Sequence, residues 1–382
     1  NTELIFRVNQ VQKNEGNSLK AAIMRNAKII VDDMATPIPS QGEVLVKTLA
    51  CGICGSDLHA LKHGRQMVET STETGGSFSM DLGKDIVMGH EFCAEILDHG
   101  PGTKHAFKAG TRVCSFPMTV HNGAPSTVGY SNVVPGGYSQ NMVLTESMLL
   151  AVPNGLATQH AALTEPMAVG LHAVRMARLN KSEIPLVIGC GPVGLAVISA
   201  LKHMGIGPII AVDYSAKRRQ LAELMGANQV LDPSKTSPYE TWAEAAQKDV
   251  HGNQMPVEPF SGQSFREGVF FECVGVPGVI DQIMAGAKKG CRIVVVGVCM
   301  ESDEFRPLVG INKELSLQFV LAYTPEEFAE TLNSIAEGHV DVAPLITDTV
   351  GLDGVAQAFE DLANPEVHAK ILVDPTMDSK NQ

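Results

Sequence analysis

The sequence is short of basic residues. Its 382 residues include 29 Lys and Arg against 42 Asp and Glu, a formal net charge of −13. Sequence-independent binding to nucleic acid needs a basic footprint that neutralises phosphates, so that class is excluded. The same deficit disfavours attraction to anionic membrane surfaces. Cysteine is sparse as well: eight in so long a chain are too few for a disulfide scaffold, and no cleavable apolar leader precedes them. Thiols or metal ligands in a reducing cytoplasm are therefore expected. The longest apolar run, residues 185–201, is broken by glycines and an internal proline, so it reads as a buried strand entering a helix rather than a membrane span. What remains is 44% hydrophobic and 19% charged residues, the make-up of a globular enzyme, in a chain long enough for two separate cores.

The pattern changes along the chain. Residues 1–18 are polar and Asn/Gln-rich and are expected to lie outside the core as a tail. From 19 to about 151, β-like runs at 21–23, 43–49, 92–98, 112–116 and 138–143 alternate with Gly, Pro and Asn turns, which predicts a β-rich domain. Residues 63–85 are rich in Gly, Ser and Thr and lack apolar periodicity, so a long loop is expected there, either a lid or a flexible insertion. From 165 onward helical segments alternate with β-branched runs at 186–188, 209–212, 269–271 and 293–296, the signature of a parallel, doubly wound sheet. Residues 233–265 read as a polar, irregular surface excursion. A helix at 325–337 with Thr324 as N-cap, a second at 354–363 and a strand at 369–373 close the chain. The pattern does not decide which domain these last elements join.

The run Leu186-Val187-Ile188-Gly189-Cys190-Gly191-Pro192-Val193-Gly194 places G-x-G-x-x-G between a buried strand and a helix predicted over 193–204. The glycines suit a tight turn at Gly189, close approach of a pyrophosphate at Gly191 and close helix packing at Gly194, with the helix N-terminus facing the phosphates. A second strand ends in Asp213, placed to accept hydrogen bonds from ribose hydroxyls and to repel a 2′-phosphate, which favours NAD over NADP. Lys217, Arg218 and Arg219 follow and weaken that preference.

The densest chemistry is Cys51-Gly52-Ile53-Cys54-Gly55-Ser56-Asp57-Leu58-His59: two thiols, a hydroxyl, a carboxylate and an imidazole within nine positions, just after a probable strand. Gly89-His90-Glu91 follows, and Glu165 comes later. Cys, His and carboxylate together form a sulfur, nitrogen and oxygen donor set suited to Zn²⁺. For each residue singly, ordinary core packing is the competing explanation. Cys51-x-x-Cys54 has the spacing of a redox pair, but glycines surround it where a helix should open. No second C-x-x-C exists to complete a zinc ribbon.

With these motifs assembled, G-I-C-G-S-D-x-H (52–59), G-H-E (89–91), E-P-M-A-V (165–169) and the 189–194 fingerprint, the chain resembles the zinc-dependent medium-chain dehydrogenase/reductase superfamily. The resemblance spans about 19 to 375 and is closest to the sorbitol (polyol) dehydrogenase branch. It implies an α/β protein with a Rossmann doubly wound cofactor domain at 166–322 and a β-rich GroES-like catalytic domain formed by 19–165 and 323–382. It implies one catalytic zinc on Cys54 and His90, with Glu91 and Glu165 completing the sphere directly or through water. Asp57 then supports the histidine, and Ser56 and His59 occupy proton-relay positions. Arg218 lies near the adenosine ribose, and Val274, Val296 and Val298 lie at strand ends contacting the nicotinamide half.

The implied activity is hydride transfer between NAD and an alcohol or polyol in a cytoplasmic homodimer or homotetramer, with zinc as Lewis acid on the substrate oxygen. Many relatives carry a four-cysteine structural zinc in the lobe at about 114–137; here only Cys114 lies there, so no structural zinc is expected. A zinc-free quinone or alkene reductase of the same fold is the alternative enzyme. A dinucleotide-binding protein without catalysis is the alternative of another class.

Overall fold

The computed structural model describes residues 18–76, 78–153, 155–258 and 262–377. The tail expected at 1–18 lies outside these apart from Ser18, which opens the first strand, Ser18–Arg25.

The first large sheet has seven strands, in the order Ile346–Val350, Lys370–Val373, Glu43–Gly52, Glu91–His99, Arg112–Ser115 and Leu149–Ala151, with Asn141–Thr145 also paired to Glu43–Gly52. The chain's last strand thus lies against one of its early ones: Leu372 faces Gly52 and Val373 faces Cys51 in antiparallel register. Asn141–Thr145 starts three residues later than the expected run at 138–143. A hairpin at Ser18–Arg25 and Lys28–Ala35 packs beside this sheet.

The second sheet is entirely parallel, with strands in the order Gln229–Leu231, Ile210–Val212, Ile184–Ile188, Gly268–Glu272, Arg292–Val295 and Ser316–Phe319. Numbered by sequence this is 3-2-1-4-5-6, the dinucleotide-binding order, whose switch point lies between the Ile184 and Gly268 strands. Apolar side chains fill both faces, Val187, Phe271 and Val294 on one and Leu186, Phe270 and Ile293 on the other. Helices on each side explain why these strands read as continuous apolar runs.

Two expectations are corrected. The segment from 63 is not a loop at its start: the helix Gly55–Thr74 runs through it and ends at Gly75 in a left-handed cap. Its buried face is Ala60, Gly64, Met67 and Ser71, a stripe of small and flexible residues whose weak apolar contrast hides the helical period. The supposed irregular excursion also contains a helix, Pro238–Ala246, capped by Ser237 with proline in its first turn. Trp242 on this helix is almost fully buried and donates from Nε1 to Ile184 O at 3.0 Å. One aromatic anchor in a polar stretch suffices to hold it on the sheet.

Candidate active site

The strand Glu43–Gly52 passes through Ile53 and Cys54 into the helix Gly55–Thr74, and its pairing with Glu91–His99 sets Gly52 opposite Glu91. That register brings the Cys54 thiol to the Gly89-His90-Glu91 turn. One ligand atom from each of Cys54, His90 and Glu91 lies within 4.8 Å of the other two, and among the described residues no other three His, Cys, Asp or Glu side chains are so arranged. His90 and Glu91 are buried and Cys54 half-buried.

Asp57 is fully buried beneath this group. Its carboxylate accepts from Tyr138 OH at 2.7 Å, Tyr130 OH at 2.9 Å and Cys54 N at 3.0 Å. His90 Nδ1 lies 3.5 Å from Asp57 Oδ1, an ion-pair separation too long for a good hydrogen bond, and has no closer polar partner. With Nδ1 turned to the carboxylate, Nε2 is the nitrogen left to bind a ligand. Burial opposes a charge on either group, yet Asp57 and Cys54 together push His90 well above its usual range, and His90 and Tyr138 hold Asp57 low. Tyr130 OH also lies 2.8 Å from Ser56 Oγ. Because the carboxylate can only accept, the phenol proton goes to Asp57 and the serine hydroxyl is left to donate to Tyr130. Ser56 is thereby wired to the carboxylate behind His90.

Glu91 has a partner the sequence reading did not identify. Lys370, buried in the last strand, donates to both Glu91 oxygens at 2.7 Å and to Ile53 O at 3.0 Å. Glu165, the second residue of the helix Thr164–Met176, lies outside the three-residue cluster but close enough for the charges of His90 and Glu91 to act on it. Burial, assisted by Glu91 and resisted by His90, raises its carboxyl to about 7. Tyr323 OH donates to its Oε1 at 2.9 Å.

A half-buried thiol, an imidazole with one nitrogen free and two carboxyls are the mixed donor set that Zn²⁺ takes in an open catalytic site. The residues present fit that ion. Cys51 does not join them: it is fully buried, and its sulfur packs against Gly89 and Gly137, where no Cβ would fit.

Two family models match the chain, "Alcohol dehydrogenase GroES-like domain" over residues 40–154 and "Zinc-binding dehydrogenase" over 192–337. (R,R)-Butanediol dehydrogenase of Bacillus subtilis is 32% identical over 373 residues, covering 94% of this chain and 100% of that protein. The chain belongs to the zinc-binding alcohol dehydrogenase family. Sorbitol dehydrogenase of Bacillus subtilis is 27% identical, covering 90% of this chain and 93% of the relative. The crystal structure of 2R,3R-butanediol dehydrogenase from Bacillus subtilis superimposes with a TM-score of 0.76 at 30% identity, covering 94% of this chain and all of that one. The expected fold, a GroES-like domain beside a Rossmann-type parallel sheet, holds, as does the placement in the zinc-type, polyol dehydrogenase branch.

On the cofactor side of this zinc-type dehydrogenase, Gly189 adopts φ +91° at the switch point, and a Cβ on Gly194 would collide with Gly189 O. Both positions therefore require glycine. Asp213 accepts from Cys190 N and Ser215 N, each at 2.8 Å, which holds its carboxylate over the turn. Arg218 reaches across to Gly191, and its buried Nε has no partner. Of the neighbouring basic residues, Arg219 is occupied by Asp213 O and Tyr214 O, with Asp232 nearby. Val274 and Val298 are exposed and Val296 buried, just beyond the Gly268–Glu272 and Arg292–Val295 strands at the same end of the sheet.

His59 stands apart from the metal cluster on the next turn of the Gly55–Thr74 helix, half-buried, and burial holds it below its usual pKa. The site residues missed from sequence are Lys370, Tyr130, Tyr138 and Tyr323. Lys370 carried a signal, a charge inside a five-residue apolar run. The tyrosines carried none, since 73 to 158 residues separate each from the carboxylate it serves.

Proposed function

We propose that this chain is an NAD-dependent, zinc-dependent alcohol dehydrogenase acting on small alcohols, diols or polyols and, in reverse, on the corresponding ketones or aldehydes. The convergence of Cys54, His90 and Glu91, in a chain that also carries a parallel sheet of dinucleotide-binding order, carries the proposal. Cys54 and His90 hold the ion, with Glu91 and Glu165 completing its surroundings. When bound, zinc supplies Lewis acidity to the substrate oxygen. Ser56, linked to Asp57 through Tyr130, and His59 on the helix above it pass the hydroxyl proton outward, so that the inner site stays closed to water. Asp57 fixes the tautomer of His90, and Lys370 offsets the buried charge of Glu91. Gly189, Gly191, Pro192, Val193, Gly194, Asp213 and Arg218 hold the adenosine and diphosphate end of the cofactor, and Val274, Val296 and Val298 the nicotinamide end.

Asp213 favours NAD over NADP, and the engagement of Arg219 with backbone carbonyls removes one cation that could have received a 2′-phosphate. Residues 19–165 and 323–382 form the catalytic domain and 166–322 the cofactor domain, a division supported by the pairing of the last strand with Glu43–Gly52. A single zinc is supported by the lobe near 114–137. Its hairpin, Met118–His121 with Ala124–Thr127, is fastened by the buried Glu43 carboxylate, 2.9 Å from His121 Nδ1 and 3.1 Å from Thr119 Oγ1. Eight free thiols suit a reducing cytoplasm.

Phe319 at the end of the edge strand Ser316–Phe319 and Leu321 just beyond it are exposed, as are Leu308 and Ile311 of the helix Pro307–Lys313. An unpaired edge with an apolar rim is where a second copy adds, giving a homodimer or the pair unit of a homotetramer.

The test is NAD⁺ reduction across diols, polyols and primary and secondary alcohols, run in parallel with NADP⁺. Turnover on at least one diol or secondary alcohol, faster with NAD⁺, is expected. Equal or faster turnover with NADP⁺ overturns the cofactor preference. Cofactor binding without turnover on any alcohol overturns the enzymatic reading.

A further inference from the structure

We propose that His59 and His63 form a second, solvent-facing site for a divalent transition ion, and that its occupation restrains His59 and slows turnover. Both residues lie on the Gly55–Thr74 helix, four positions apart, and the helix is kinked at His63 itself, whose backbone leaves the helical region at φ −125° and ψ 23°. Their ring centroids are 6.2 Å apart at an interplanar angle of 47°. Two imidazoles at adjacent positions on one ion, through bonds of about 2.0–2.1 Å, have centroids roughly 4.5–5 Å apart, so side-chain rotation that closes the pair by about 1 Å brings both to a shared ion.

Both imidazoles are half-buried rather than enclosed, so an ion reaches them from solvent and keeps water on its remaining positions. Neither makes a hydrogen bond to another described residue that would compete for its nitrogens. Burial, helped by the charge of Lys62, holds His59 below its usual pKa and so in the neutral form that ligates at pH 7. Two nitrogen donors of this kind suit Zn²⁺, Ni²⁺ and Cu²⁺. With only two protein ligands and Lys62 beside them, the site exchanges its ion readily, unlike the three-donor group of Cys54, His90 and Glu91. The effect on turnover rests on the reading of His59 as a proton carrier; the metal site itself does not.

The experiment uses the zinc-loaded full chain and Ni²⁺ as probe, with bound nickel measured by equilibrium dialysis and turnover measured in the same samples. Wild type is expected to bind one Ni²⁺ per chain that His63→Gln binds at least tenfold more weakly, and Ni²⁺ is expected to slow wild type while leaving His63→Gln unaffected. Without nickel, His63→Gln turns over as wild type does, which shows that the variant folds. Nickel binding unchanged in both His63→Gln and His59→Gln overturns the site. Inhibition equal in wild type and His63→Gln locates the nickel effect elsewhere and overturns the regulatory role. Binding that depends on His63 with no slowing of wild type keeps the metal site and overturns the relay role of His59.

Discussion

At the scale of single residues, proton work and metal work are assigned by environment. Burial lowers the pKa of His59, so its neutral form persists below the usual histidine range and accepts a proton at pH 7. The sign follows directly: alcohol oxidation falls as pH drops through this lowered pKa, because the imidazolium cannot take the substrate proton. In kcat/KM against pH, His59→Gln should flatten that acid limb and lower the plateau by ~10²-fold; an unchanged profile would remove His59 from the relay. The two neighbouring cysteines separate just as clearly. Cys54→Ser should lose zinc and activity together, while Cys51→Ser, in a pocket that only packs against Gly89 and Gly137, should keep both. Metal content and turnover of the two variants decide it, and equal losses would refute the ligand assignment. The candidate residues were legible where types cluster in sequence, at 51–59 and 89–91, and Cys54, His90 and Glu91 do lie together in the fold. The hydroxyls of Tyr130, Tyr138 and Tyr323 were not, because only the folded register brings them to Asp57 and Glu165.

At the scale of elements, the last strand does more than close a sheet. Lys370–Val373 carries a buried ammonium to Glu91 and a carbonyl, Ile371 O, to Ile53 N at 3.0 Å, so it shapes the turn that presents Cys54. Removing one partner of such a buried pair leaves the other charge uncompensated, at a cost of about 3–5 kcal/mol. Lys370→Met should lower unfolding stability by that amount in urea and weaken zinc retention, and adding Glu91→Gln should recover part of the stability; a loss below about 1 kcal/mol would show that the pair is dispensable. The capping box at Thr324 and Glu327 and the glycine fingerprint were readable because each rests on local spacing. The helix through 63–74 and the one bearing Trp242 were not, because their buried faces are set by tertiary contacts rather than by an apolar period.

At the scale of the whole molecule, the last part of the chain packs back on its first part: Tyr323 and Phe328 share one apolar cluster with Ala50, Cys93 and Cys114. The return of the chain's end to its first large sheet could not be read from periodicity alone, since a strand pattern does not name its neighbour. If the Ser316–Phe319 edge joins two copies, replacing Phe319 and Leu321 by lysine should halve the mass seen by light scattering; an unchanged mass would place the interface elsewhere. The central claim, a catalytic ion held by Cys54 and His90 with Glu91 and Glu165 completing its surroundings, is tested most directly by measuring tightly bound zinc and NAD⁺-linked alcohol oxidation in the same samples before chelation, after it, and after zinc is restored. One tightly bound zinc per chain is expected, with activity lost and regained in proportion to it, whereas two tightly bound equivalents, or full activity in zinc-free protein, would contradict the account.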